Sequence, residues 1–149
     1  MYFDEKIETM PRSAMEELQS QRLQQTIKWV QEKSGFYQKK FDDSKVALQD
    51  IEVIQDLNKL PFTTKEELIA NAPLGMLTLE MNSVVRIEPI ESLPPLVMAY
   101  TSADIRHSIE ILARCLVAGG LNISSIIQIY EDYFTPIAQG MQYAAEMIG

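Results

Sequence analysis

The chain has 149 residues, of which 46% are hydrophobic and 23% charged, and it carries a formal net charge of −8. That length and balance fit one compact soluble domain with its own core and exclude a disordered composition. The acidic excess argues against a phosphate-backbone partner such as nucleic acid. The single cysteine cannot form an internal disulfide, and no apolar run is long enough to span a bilayer.

The N-terminus, Met1-Tyr2-Phe3-Asp4-Glu5-Lys6, has no basic region followed by an apolar stretch. It does not read as a secretion signal, and the expected location is the cytoplasm. After Pro11, Ser13 and Glu16 have capping-box spacing and predict a helix over 14–33. Met15, Leu18, Leu23, Thr26, Ile27, Trp29 and Val30 fall on one broad half of its wheel, which should be the packing half. Gly35 is expected to close this helix in the left-handed conformation, and 36–41 to make a short second turn.

From 46 to 60 the pattern is mixed, with Ile51, Val53, Ile54, Leu57 and Leu60 as anchors and a short helix over 53–58. Leu60-Pro61-Phe62-Thr63-Thr64-Lys65-Glu66-Glu67-Leu68 predicts a helix capped by Thr63 or Thr64, which Asn71-Ala72-Pro73 ends. Pro73-Leu74-Gly75 is a turn. Two β-like runs follow, 84–87 and 96–100, joined by a connector with three prolines, two glutamates and no glycine. Thr101 or Ser102 caps a helix striped by Ile105, Ile109, Leu112 and Leu116, and Gly119-Gly120 terminates it.

Ile126-Ile127-Gln128-Ile129-Tyr130 reads as a buried strand, and Pro136 opens a last helix striped by Ile137, Met141, Ala144 and Ile148. The fold class is α/β in a single domain: a helical N-terminal region over 1–83, then a small βαβα unit over 84–149 with an incomplete parallel sheet. Such a sheet leaves an open edge. A homodimer, or a partner chain, is expected to cover it.

Several stretches together resemble the N-terminal part of the phenylacetate–coenzyme A ligase family, within the adenylate-forming enzymes. They are Ile7-Glu8-Thr9-Met10-Pro11-Arg12, Gly35-Phe36-Tyr37-Gln38-Lys39-Lys40-Phe41-Asp42, the 60–68 run, Val84-Val85-Arg86-Ile87, and 99–149 as a whole. The resemblance runs nearly the full length of this chain, whereas a complete family member is much longer. It implies a ligase that joins an aryl carboxylate to coenzyme A through an acyl-adenylate, using ATP and magnesium. It also implies a glycine- and lysine-bearing phosphate loop after the strand at 84–87. This chain has Glu88-Pro89-Ile90-Glu91-Ser92-Leu93-Pro94-Pro95 there, in which prolines remove backbone donors and glutamates repel phosphate.

No catalytic residue and no cofactor site is therefore carried over. The resemblance implies that the aromatic stretch after the second strand contributes to an acyl pocket. Tyr130, Tyr133 and Phe134 are the substrate-pocket candidates, against the alternative that they are core or interface aromatics. His107 reads as a helix-surface histidine and Cys115 as a small buried hydrophobe. Glu131-Asp132 reads as a solvated loop rather than half of a cation site, and Lys39, Lys40 and Lys65 as surface charge. The leading reading is a truncated relative without adenylation activity of its own, an interaction or regulatory module. One subunit of a split ligase and an aryl-acid binding protein are the alternatives.

Overall fold

The computed structural model describes residues 1–90, 96–130 and 135–149. The chain divides into two compact units, Met1–Met10 with Thr101–Gly149 and, between them, Pro11–Tyr100.

In Pro11–Tyr100 the organising element is α2, Arg12–Lys33. It begins directly after Pro11 rather than at a Ser13 cap: Ser13 lies inside the helix, and Arg12 pairs with Glu16 one turn on, at 2.7 Å. Ser34 forms the junction with α3, Gly35–Asp43. Its N–H donates to the Val30 carbonyl, and its Oγ accepts the Tyr37 N–H. Gly35 thus opens the second helix instead of closing the first.

Ile27, Phe41 and Ile51 form the buried core, with Leu23, Val30, Tyr37, Val46, Leu48 and Leu60 packed around it. Trp29 is not part of it. At about 100° per residue it points some 200° away from Ile27, and it is 45% exposed, with the Lys33 ammonium over its ring.

The 3-10 turn Ile54–Lys59 is tied by Asp56, whose carboxylate pairs with Lys59 at 2.8 Å and accepts the backbone N–H groups of Glu52 and Val53. The Lys59 hydrogen bond, then the two backbone N–H groups, hold this carboxyl down at about 2. The short helix α4, Lys65–Ala70, has the expected Thr64 cap and a reciprocal Glu67. Gly75 follows in the turn after Pro73, where the backbone passes so close to the Asn71 carbonyl that a Cβ would lie 2.6 Å from its oxygen.

Two strands complete this unit: β1, Arg86–Ile90, and β2, Leu96–Tyr100, paired antiparallel. The expected helical layer leading into a small α/β unit is present, and its described sheet is this hairpin. The run 126–130 forms no strand among the described residues. Its β-forming composition is satisfied only by a neighbouring strand, and among the described residues none is paired with it.

In the other unit Thr101 caps α5, Ser102–Ala118, in a reciprocal box with Asp104. The helix ends at Gly119-Gly120, as expected, with Gly120 at φ +100°. Helix α6, Pro136–Ile148, packs on α5 through small residues: Ala113 and Val117 on one, Ala138 and Ala144 on the other, are buried. Gly140 faces Leu112 closely enough that a Cβ would meet its Cδ1 at 2.9 Å. Ile137, read as part of the buried stripe, is 70% exposed. The short helix α1, Glu5–Glu8, is tied to α5 by Glu8 and Arg114 at 3.3 Å. No helix among the described residues is long and apolar enough to cross a membrane.

Truncating the core at Phe41→Ala should cost about 3–5 kcal/mol in urea unfolding, the usual range for removing a buried phenyl ring. Because the Asp56 pKa is depressed in the folded state, its stabilising effect is complete above about pH 4, near its unfolded value. That effect is lost as pH falls towards 2. Asp56→Asn should therefore flatten the loss of stability in that window; an unchanged acid profile would contradict this role.

Candidate functional site

The register of the hairpin sets what 84–90 can do. Arg86 faces Tyr100, Glu88 faces Met98 and Ile90 faces Leu96 on one side of the ribbon, while Ile87 faces Ala99 and Pro89 faces Val97 on the other. On the first side, Arg86 and Glu88 pair at 3.3 Å, both half-buried, so the glutamate's charge is answered by its own strand. The other side is apolar: Val85, whose N–H donates to the Tyr100 carbonyl, is 59% exposed, and Ile87 is 47% exposed. Pro89 contributes no N–H to the ladder. Residues 88–90 are thus strand residues bearing an acid, an imino acid and an isoleucine. A phosphate group needs exposed N–H donors or a cation. Residues 91–95 lie outside the described residues.

Of the three pocket candidates, Tyr130 is 96% exposed, and Tyr133 and Phe134 lie outside the described residues, as do Glu131 and Asp132. His107 is exposed on α5, as expected. Cys115 is also exposed, contrary to its reading as a small buried hydrophobe. It lies about 200° around the helix from the buried Ala113, so the face that packs leaves it outside. Among the described residues no cluster of three or more His, Cys, Asp or Glu could hold a metal ion.

Two features that sequence reading missed sit in Pro11–Tyr100. The first is a pairing of α3 with α4. The Lys40 ammonium bonds the Glu67 carboxylate and lies 5.3 Å from the centre of the Phe36 ring, and the Tyr37 and Thr63 hydroxyls bond at 3.2 Å. Lys40 is not surface charge, since its side chain is only 10% exposed. The Lys40 hydrogen bond, then the Thr64 N–H, holds Glu67 below the usual carboxylate range. The only sequence signal was Phe36 and Lys40 one turn apart, beside a capping glutamate. This pairing accounts for 60–68 as a structural clasp.

The second feature is an apolar cavity of about 270 Å3 between the Pro73 turn and the hairpin, walled by Leu68, Leu74, Leu77, Ile90, Leu96 and Met98 among others. Asn71 is the polar residue in its lining, and that amide already donates to the Glu67 carbonyl. Such a cavity suits an apolar group and offers no charge to a nucleotide.

No protein-family model matches the chain. The phenylacetate-coenzyme A ligase of Escherichia coli (strain K12) is 36% identical over 147 residues, which are 96% of this chain and 33% of that enzyme. The phenylacetate-coenzyme A ligase of Thermus thermophilus is 30% identical over 153 residues, covering 100% of this chain and 34% of the enzyme. Among solved structures, 2-hydroxyisobutyryl-CoA ligase in the postadenylation state superposes with a TM-score of 0.79 at 19% identity, over 99% of this chain and 32% of that one. The chain therefore spans about a third of the length of the curated relatives it matches.

If the clasp holds α4 to α3, Lys40→Ala should lower the urea midpoint, because it removes the ammonium that Glu67 and the Phe36 ring share. Lys39→Ala, at a solvated pair, should leave the midpoint nearly unchanged. Equal effects of the two substitutions on urea midpoints would show that the clasp does not stabilise the fold.

Proposed function

We propose that this chain, a partial homologue of the phenylacetate–coenzyme A ligases, forms no acyl-adenylate by itself and acts in the cytoplasm as an interaction or regulatory module. The observation that carries this reading is the β1–β2 hairpin. Where the resemblance implies a donor-rich phosphate loop, Glu88, Pro89 and Ile90 are paired strand residues, and Glu88 is occupied by Arg86. An acid and a proline at that point work against a triphosphate through charge and through a missing donor. Exposed Val85 and Ile87 on the same hairpin support a surface that works by contact with another polypeptide, a second copy or a different chain.

A second reading, a subunit of a split acyl–coenzyme A ligase, is favoured by similarity that runs through 96–100% of the chain at 30–36% identity to one kind of enzyme. On that reading ATP, magnesium and coenzyme A are handled largely by the other chain.

Calorimetric titration of the purified chain with magnesium-ATP should give no saturable heat up to millimolar nucleotide. Saturable binding in the micromolar range would overturn the module reading and make the hairpin part of a nucleotide site.

A further inference from the structure

We propose that the cavity between the Pro73 turn and the β1–β2 hairpin is a binding site for a small neutral molecule with an aliphatic body and one hydroxyl, in the class of medium-chain alcohols, which Asn71 orients. All its walls belong to Pro11–Tyr100. Leu68 and Asn71, three residues apart at the end of α4, form one wall. The turn supplies Leu74 and Met76, and the cross-strand pair Ile90 and Leu96, with Met98, closes the far side. Arg86 and Glu88 share that side of the ribbon but answer each other, and neither lines the cavity.

Asn71 is held rigidly enough to orient a ligand. Its amide nitrogen donates to the Glu67 carbonyl at 2.8 Å, and its backbone carbonyl accepts the Gly75 N–H at 2.7 Å. Because a carbonyl can only accept, the first bond fixes which end of the amide is nitrogen, and the acceptor that Asn71 offers the cavity is its Oδ1. Gly75 makes the second bond possible, since a side chain there would collide with the Asn71 carbonyl.

The identity of the occupant follows from charge, polarity and size. Among the described residues that line the cavity none is charged, so a carboxylate or phosphate would be desolvated without a partner. An ordered water needs two or more polar partners, and one asparagine among aliphatic walls favours an apolar body instead. None of these lining residues is aromatic, whereas Met76 and Met98 are flexible side chains that adapt to a bending chain. An apolar cavity of about 150 Å3 takes up a benzene-sized molecule. The 270 Å3 here therefore suits a chain of roughly six to eight carbons with its hydroxyl on Asn71.

The test is titration of the full chain, carrying isotope-labelled methionine methyl groups, with 1-heptanol, with its isomer 1-methoxyhexane and with heptanoate. Saturable shifts of the Met76 and Met98 methyl resonances are expected with heptanol, while Met15 and Met141, which do not line the cavity, stay in place. The ether has no donor and should bind about threefold to tenfold more weakly, the usual worth of one neutral hydrogen bond. Asn71→Ala should weaken heptanol by the same factor and leave the ether unchanged. Met98→Trp, at a partly exposed strand position, should weaken both at least about tenfold by filling the space. The titration of the unaltered chain decides the site even if a variant fails to fold. The proposal is overturned by absence of saturable shifts up to the solubility limit of heptanol, or by shifts at Met15 and Met141 instead. Heptanoate binding as tightly as the alcohol, or folded variants that bind heptanol like the unaltered chain, would overturn it equally.

Discussion

The contact of Ile27 with Phe41 and Ile51 is what holds Pro11–Tyr100 together. It joins the long helix α2 to the short helix α3 and to the irregular chain after it, three pieces with little stability apart. Everything polar around that contact serves to keep the pieces in register. Ser34 ends one helix and begins the next, Asp56 ties down the 3-10 turn, and Lys40 with Glu67 fixes α4 against α3. The unit's exposed aromatic residues, Trp29 and Phe62, lie off this arrangement, Phe62 at 91% exposure.

The α5–α6 pair obeys a different constraint. Its buried residues are alanines and one valine, which let two helices approach closely but remove little apolar surface from water. Larger apolar groups, Ile111, Ile123, Ile126, Ile137 and Met147, are left substantially exposed. The described hairpin carries the Arg86–Glu88 ion pair on one side and exposed Val85 and Ile87 on the other.

The sequence by itself determined the local structure wherever one residue type has one physical use. Thr64 with Glu67 and Thr101 with Asp104 cap helices because a hydroxyl and a carboxylate three residues apart can satisfy each other's backbone donors, and Gly120 ends α5 because only glycine takes φ +100° without strain. The family resemblance was legible for the same reason, being carried by short contiguous motifs. Tertiary structure alone decided what depends on partners distant in the chain. Ile126-Ile127-Gln128-Ile129-Tyr130 has strand composition, yet a strand exists only when another pairs with it. Cys115 and Trp29 are apolar residues whose burial depended on which side of a helix found a neighbour. Lys40 reads as surface charge until Phe36 and Glu67 close around it, because burial of an ammonium is set by a carboxylate 27 residues away rather than by anything in its own vicinity.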